Sequence, residues 1–223
     1  MTPLGNILII GAHLDDIEIG MGGSALKYIN EGNRVFGVVV CKGNTPNRET
    51  DNTSDRSNAF NQNMNDMGFT EWVCLECDDQ NIVSANYNDL VRNIQEYVDQ
   101  WQINTIYTNN SDDINVDHRL VSDITRVVSR PRKTSSVNTL LEYYIPGSTD
   151  WNFTSHNNIF NVAVDITDHF SDKLRYVSRY TSEIRPGFDP LSLDKLSSIA
   201  EYHGSIFGYD KAEIFKLVYT RIC

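Results

Sequence analysis

Apolar positions fall into short continuous runs separated by longer amphipathic stretches. Gly5–Ala12 is an apolar run, polar only at Asn6, ending in glycine and alanine, the mark of a strand buried on both faces. Gly20–Asn30 reads as a helix with Gly32 as its stop. Arg34–Cys41 is a second buried strand, and the polar stretch Lys42–Thr53 reads as a surface loop. Ser54 can cap a helix running to about Met67 and ended by Gly68. Trp72–Leu75 is a third strand. Asn86–Trp101 collects Leu90, Val91, Ile94, Tyr97, Val98 and Trp101 on one side, as an amphipathic helix does. Thr105–Thr108 is a fourth strand, 109–116 a polar loop and Asp117–Val128 the next helix. Val137–Tyr144 and Ile159–Asp165 add strands, and the tail supplies helices near 168–181 and 192–207.

Strand alternating with helix implies an α/β fold on a mostly parallel sheet with right-handed crossovers. The 223 residues suit one domain spanning 1–223. Pro131–Ser136 is the best boundary candidate, but the chain beyond Ser136 reads as an extension of the same sheet. With 40% hydrophobic and 22% charged residues, the composition is that of an ordinary globular chain. A net charge of −11 repels nucleic-acid phosphates, so no nucleic-acid partner is expected. No apolar run is long enough to span a bilayer, so membrane insertion is not expected. The N-terminus reads as a strand rather than a signal peptide. Cys74 and Cys77 form a CxxC at the end of a strand rather than at a helix start, and Cys41 and Cys223 are isolated, so the pair reads as two ordinary reduced thiols and the expected location is cytoplasmic.

The chemistry concentrates after the first strand, in Gly11-Ala12-His13-Leu14-Asp15-Asp16-Ile17-Glu18. Ligands of open α/β sheets bind at the carboxyl ends of strands. Carboxylates crowded there repel unless a cation sits among them, and imidazole with carboxylate is a common zinc set. His13 and Asp16 can point the same way from a tight loop, which leaves Asp15 as general base. Glu18 is expected to cap or brace the helix start. A third ligand should come from another strand's end, where Asn115-Val116-Asp117-His118 offers His118 as ligand and Asp117 as the carboxylate that fixes a histidine tautomer. The expected cofactor is one zinc ion per chain, other divalent metals being compatible. Glycines at 20, 22 and 23 lack the spacing of a dinucleotide fingerprint.

These residues resemble the PIG-L (LmbE-like) zinc-dependent N-deacetylase family. The motif AHPDDxE matches Ala12–Glu18 with Leu14 in place of proline, and HxDH matches Asn115–His118 with asparagine in place of the first histidine. Arg56 falls where the family has an arginine, without the usual glutamate after it. Residues 172–183 resemble a late helix, with Tyr180 and Glu183 where histidine and glutamine often occur, and Ala212-Glu213-Ile214-Phe215 is similar to a terminal AEAF segment. The resemblance implies a Rossmann-like sheet flanked by helices in three layers. It also implies removal of an acyl group, usually acetyl, from an N-acylated amino sugar or glycoside by metal-activated water. His13, Asp16 and His118 would be ligands, Asp15 the base and Arg56 a substrate contact. Asn115 would donate to an oxyanion but cannot carry a proton. Family members of this size are often multimeric, which leaves a homo-oligomer as an expectation.

Other candidates rest on the residues alone. Arg48, in the loop 42–53, is a candidate contact with an anionic group, and Trp151 a candidate sugar-stacking platform, with plain packing as its alternative. His156, His169 and His203 read as structural or solvated, His203 being the one placed best to reach the site. Two other functions stay open: a metal-dependent phosphatase, and a non-catalytic sugar- or nucleotide-binding module on the same fold.

Overall fold

The continuous apolar runs become the centre of one sheet. The computed structural model describes residues 5–43, 53–153 and 159–222. Its strands are β1 (Ile7–Gly11), β2 (Val35–Cys41), β3 (Glu71–Cys77), β4 (Thr105–Asn109), β5 (Thr139–Tyr143), β6 (Val162–Asp165) and β7 (Ala212–Thr220). They lie in the order β3-β2-β1-β4-β5-β7-β6. The first five are parallel, and β7 runs antiparallel to both β5 and β6. The helices are α1 (Asp16–Asn30), α2 (Thr53–Met67), α3 (Tyr87–Gln100), α4 (Val116–Val128), α5 (Phe170–Val177) and α6 (Leu193–Phe207).

The period-2 geometry of β1 builds both cores. Ile7 and Ile9 face one side, against residues of α1, α2 and α5. Leu8 and Ile10 face the other, against α3 and α4. The result is a three-layer, mostly parallel α/β architecture, and its covered faces explain why β1 and β2 contain no polar residue. Connections from β1 lead one way along the sheet to β2 and β3, and the chain then returns to β4 on the other side of β1. The crevice between the carboxyl ends of β1 and β4 is therefore the topological switch point where such sheets bind ligands. Among the described residues, no helix is long and apolar enough to cross a membrane.

Three elements differ from the sequence reading. Helix α1 begins at Asp16, four residues before Gly20, because its first turn is wholly buried and packing overrides the glycines. Ser54 lies within α2, one residue after its start at Thr53. Strand β7 shows in the sequence only as a family-like segment, yet it is the strand that ties β5 to β6 and brings the C-terminal part of the chain into the sheet.

Helix α1 is interrupted at Met21, whose φ of −151° and ψ of 26° leave the helical region. The break frees backbone groups that must find partners. Glu213 on β7 accepts from the backbone N–H groups of Gly23 (3.0 Å) and Ser24 (2.7 Å). Lys173 on α5 donates to the carbonyl of Ile19 (2.8 Å) and to Glu213 (2.6 Å). One buried ion pair thus splices both sides of the break and locks β7 and α5 onto the helix that carries Asp16. Removing one partner strands a buried charge. Lys173→Met is expected to cost about 3–5 kcal/mol, read as a lowered urea midpoint, with Lys173→Met/Glu213→Gln recovering part of the loss.

Candidate active site

Every ionisable residue in the loop after β1 is turned inward. His13, Asp15 and Asp16 are each less than a tenth exposed, and Glu18 is fully buried. Asp16 is held by its Oδ2, which accepts from the backbone N–H groups of Ala12 (2.8 Å) and His13 (2.9 Å) and from Asn109 Nδ2 (3.0 Å) at the end of β4. Its other oxygen, Oδ1, lies 3.4 Å from His118 Nε2. Burial opposes the charge on Asp16, but the imidazoles of His118 and His13 outweigh it and hold the carboxyl well below the usual range.

The two histidines face each other. His13 Nδ1 and His118 Nε2 are 3.2 Å apart. On the far side of each ring is a carboxylate: Asp117 Oδ2 lies 3.1 Å from His13 Nε2, and Asp113 Oδ2 lies 3.1 Å from His118 Nδ1. A carboxylate can only accept, so each ring places its proton on the far nitrogen and turns a lone pair toward its neighbour. Two lone pairs at that separation repel unless a cation or a proton lies between them. In the structure, burial opposes protonation of both rings, but the carboxylates outweigh it: His13 is raised well above the ordinary histidine value and His118 to about 9. Donor atoms of His13, Asp16 and His118 all lie within 4.8 Å of one another, a set of nitrogen and oxygen ligands that fits zinc.

Helix α4 supplies the opposite wall. Its N-cap is Asn115, whose side-chain oxygen accepts from the N–H of Asp117 at 2.9 Å. That cap uses Oδ1, so the amide hydrogens of Nδ2 are what Asn115 can present to a ligand. Asp113 anchors the loop before it, accepting from the N–H of Asn115 (2.8 Å), Thr149 Oγ1 (2.8 Å) and Ser148 Oγ. Burial alone would raise Asp113, but His118, Ser148 and that backbone donor outweigh it and lower its pKa.

Asp15 sits beside the histidine pair in a mixed field. Burial raises its carboxyl to about 6; Arg56 pulls down, while Asp16 and Glu183 push up. Arg56 is itself buried, with Nη1 donating to Asp79 Oδ2 and the Gly43 carbonyl, each at 3.2 Å, and with Asp15 and Glu183 each at 3.8 Å. Asp15, Arg56, Asp79 and Glu183 line a cleft of about 340 Å³ with Asn115, Trp151, Arg185 and Pro190. Trp151 stands at the rim, 58% exposed.

The structure corrects several sequence expectations. Of the two roles expected of Glu18, capping fails, since Asp15 is the N-cap residue and makes no side-chain capping bond, while bracing of the helix start holds. Glu18 accepts from Asn63 Nδ2 (2.7 Å) and Tyr180 Oη (2.6 Å), a tie between α1, α2 and the turn after α5, and burial pushes its carboxyl to about 8. His203 does not line this cleft; it lies in a neighbouring groove against Tyr144. Cys41, a buried free thiol, lies with its sulfur within 4.8 Å of donor atoms of His13 and Asp117. Arg48 and His156 lie outside the described residues. Sequence reasoning misses Asp113, Asp79 and Asn109. The run Asp112-Asp113, five residues before His118, is a signal that could point to Asp113, whereas Asp79 and Asn109 reach the site only through the fold.

Known proteins share both the sequence of these loops and the fold around them. Residues 8–129 match the family described as PIG-L, GlcNAc-PI de-N-acetylase. An uncharacterized deacetylase of Escherichia coli, YaiS, is 28% identical over 129 residues, 56% of this chain and 68% of the relative. The N,N′-diacetylchitobiose deacetylase of Pyrococcus horikoshii has the same fold, with a TM-score of 0.75 at 18% identity, over 96% of this chain and 84% of that one. So does GalB, the 4-carboxy-2-hydroxymuconate hydratase of Pseudomonas putida, with a TM-score of 0.75 at 14% identity and 98% of both chains covered. The fold alone therefore does not choose a reaction, but the match spanning the loops after both β1 and β4 does assign the family: this chain belongs to the PIG-L family of de-N-acetylases.

Proposed function

We propose that the protein removes the N-acetyl group of an amino sugar or glycoside, with one divalent metal, zinc by preference, held by His13, Asp16 and His118. The observation that carries this reading is the facing pair His13 Nδ1 and His118 Nε2, each fixed from behind by a carboxylate, with Asp16 beside them. A metal bound there supplies Lewis acidity that polarises an amide carbonyl and makes water nucleophilic near neutral pH. Asp15 is the general base: it takes a proton from the attacking water and returns it to the leaving amine. Its raised pKa suits a group that must both accept and release a proton, and a cation beside it would favour the ionised form. Asn115 donates its amide hydrogens to the carbonyl oxygen as that oxygen gains charge. Because asparagine cannot carry a proton, Asp15 serves as base and acid in turn. Arg56, gripped by Asp79, holds Asp15 in position, and Trp151 offers its exposed ring to the sugar. Two imidazoles in the ligand set favour this reading over a magnesium phosphatase, whose sites are built from oxygen ligands. A carboxylate placed beside the ligands favours it over a module that only binds.

Two measurements test it. In a panel of N-acetylated sugars assayed for acetate, Asp15→Asn is expected to lose about 100- to 10,000-fold in kcat while retaining bound zinc; full turnover in that variant contradicts the assignment of the base. Asp113→Asn is expected to weaken zinc binding by roughly 10- to 100-fold in a chelator competition, while His169→Ala, outside the cleft, leaves affinity unchanged. Equal affinities in all three proteins would show that the carboxylate behind His118 does not tune a ligand.

A further inference from the structure

Behind the histidine pair lies a thiol that the proposed reaction does not use. Cys41 closes β2, and β2 neighbours β1 in the sheet, so it stands at the same strand-end edge as the loop that carries His13. Its backbone N–H donates to the carbonyl of Ala12 at 2.8 Å, which fixes that placement. Its Sγ, a carboxylate oxygen of Asp117 and a ring nitrogen of His13 all lie within 4.8 Å of one another. The residue is wholly buried, and its thiol donates only weakly, over 3.8 Å, to the carbonyl of Asp78.

Asp117 supplies the independent sign that this corner suits a cation. Its Oδ2 accepts from the backbone N–H of Gln80 at 2.6 Å and faces His13 Nε2 at 3.1 Å. Its Oδ1 is buried and has no hydrogen-bond partner among the described residues. A buried carboxylate oxygen left unpaired is costly, and a coordinated cation satisfies it. The charge around the sulfur has the same sense. Burial, and after it the carboxylates of Asp117 and Asp79, hold the Cys41 thiol far above the ordinary cysteine value, and a field of carboxylates that disfavours a thiolate attracts a cation. Sulfur beside nitrogen and oxygen selects thiophilic ions over magnesium or calcium.

We propose that Cys41 Sγ, Asp117 and His13 Nε2 form a second metal site, for a thiophilic divalent ion, and that this site competes with the catalytic metal for the ring of His13. A neutral imidazole has one lone pair and one N–H. With the lone pair on Nδ1, His13 serves the set with His118 and Asp16, and its Nε2 proton lies toward Asp117. An ion held from behind needs the lone pair on Nε2. The proton then moves to Nδ1, where it faces His118 and denies the catalytic metal its ligand, so the second site is inhibitory. Binding releases the thiol proton to water and forms a metal–sulfur bond with no change of oxidation state. The ion enters through the cleft, which His13 and Gln80 line. The competition rests on the ligand set proposed above; the thiolate site itself does not.

Cadmium is the probe, because a cadmium–thiolate bond has an ultraviolet charge-transfer band that imidazole and carboxylate ligands lack. The metal-free full chain is titrated with cadmium. The band is expected in the wild type and in Cys74→Ser/Cys77→Ser/Cys223→Ser, which keeps Cys41 as its one thiol, and is expected to be lost in Cys41→Ser, which preserves the shape of the side chain. Cadmium bound without the band, or a band that persists in Cys41→Ser, overturns the site; the wild type and Cys41→Ser decide this even if the triple variant does not fold. Native mass spectrometry of zinc-loaded wild type mixed with cadmium reads the competition. The band is expected to grow only as zinc leaves, and chains that show the band while carrying zinc and cadmium together overturn the sharing of His13. If zinc never binds, the catalytic ligand set fails by itself, and the band still decides the thiolate site.

Discussion

The arrangement that the rest of this protein accommodates is the burial of two imidazole lone pairs and a carboxylate at one point between β1 and β4. Such a set is unfavourable in a low-dielectric interior without a cation. Each neighbouring group works to keep it assembled. Backbone N–H groups of Ala12 and His13 and the amide of Asn109 hold Asp16 in one orientation. Asp117 and Asp113 hold the histidines from behind, and both carboxylates are themselves fixed, Asp117 by the N–H of Gln80 at 2.6 Å and Asp113 by Ser148, Thr149 and Asn115. A metal entering this site would find its ligands already oriented and would relieve the repulsion between them.

That requirement reaches into the fold. Helix α1 must start immediately after β1 so that Asp16 can turn back over the strand end, and its first turn is consequently buried on all sides. The same helix is interrupted at Met21, and Lys173 and Glu213, from elements far away in sequence, bond the backbone on either side of the break. Glu18, Asn63 and Tyr180 form a second buried tie beneath the same turn. Much of the polar interior of this α/β domain therefore serves one loop, and preorganisation of this kind is how a rigid scaffold supports a reacting centre.

How much of this is legible in the sequence depends on how local each signal is. His13, Asp15 and Asp16 share one short loop and His118 opens the helix after β4, so strand-end logic brings them together without knowledge of tertiary contacts. The buried strands are legible because parallel strands covered on both faces are apolar throughout. Strand β7 is not, since Ala212–Thr220 mixes apolar residues with Glu213 and Lys216, each of which is recruited by a distant charge partner. Glu18 misleads for the same reason: an acidic residue in a first helical turn is ordinarily explained by the helix dipole, and only the fold reveals Tyr180 and Asn63 against it. Asp79 and Asn109 are plain polar loop or strand-end residues until the sheet order places β3 and β4 on either side of the site.

The proposed chemistry turns on completion of the site by a single cation, and anomalous diffraction at the zinc edge from crystals of the zinc-loaded protein reads that out directly. One peak per chain is expected between His13 Nδ1, His118 Nε2 and Asp16, absent in crystals of His118→Ala grown the same way. A zinc peak elsewhere with this position empty, or a peak that persists there without His118, would contradict it.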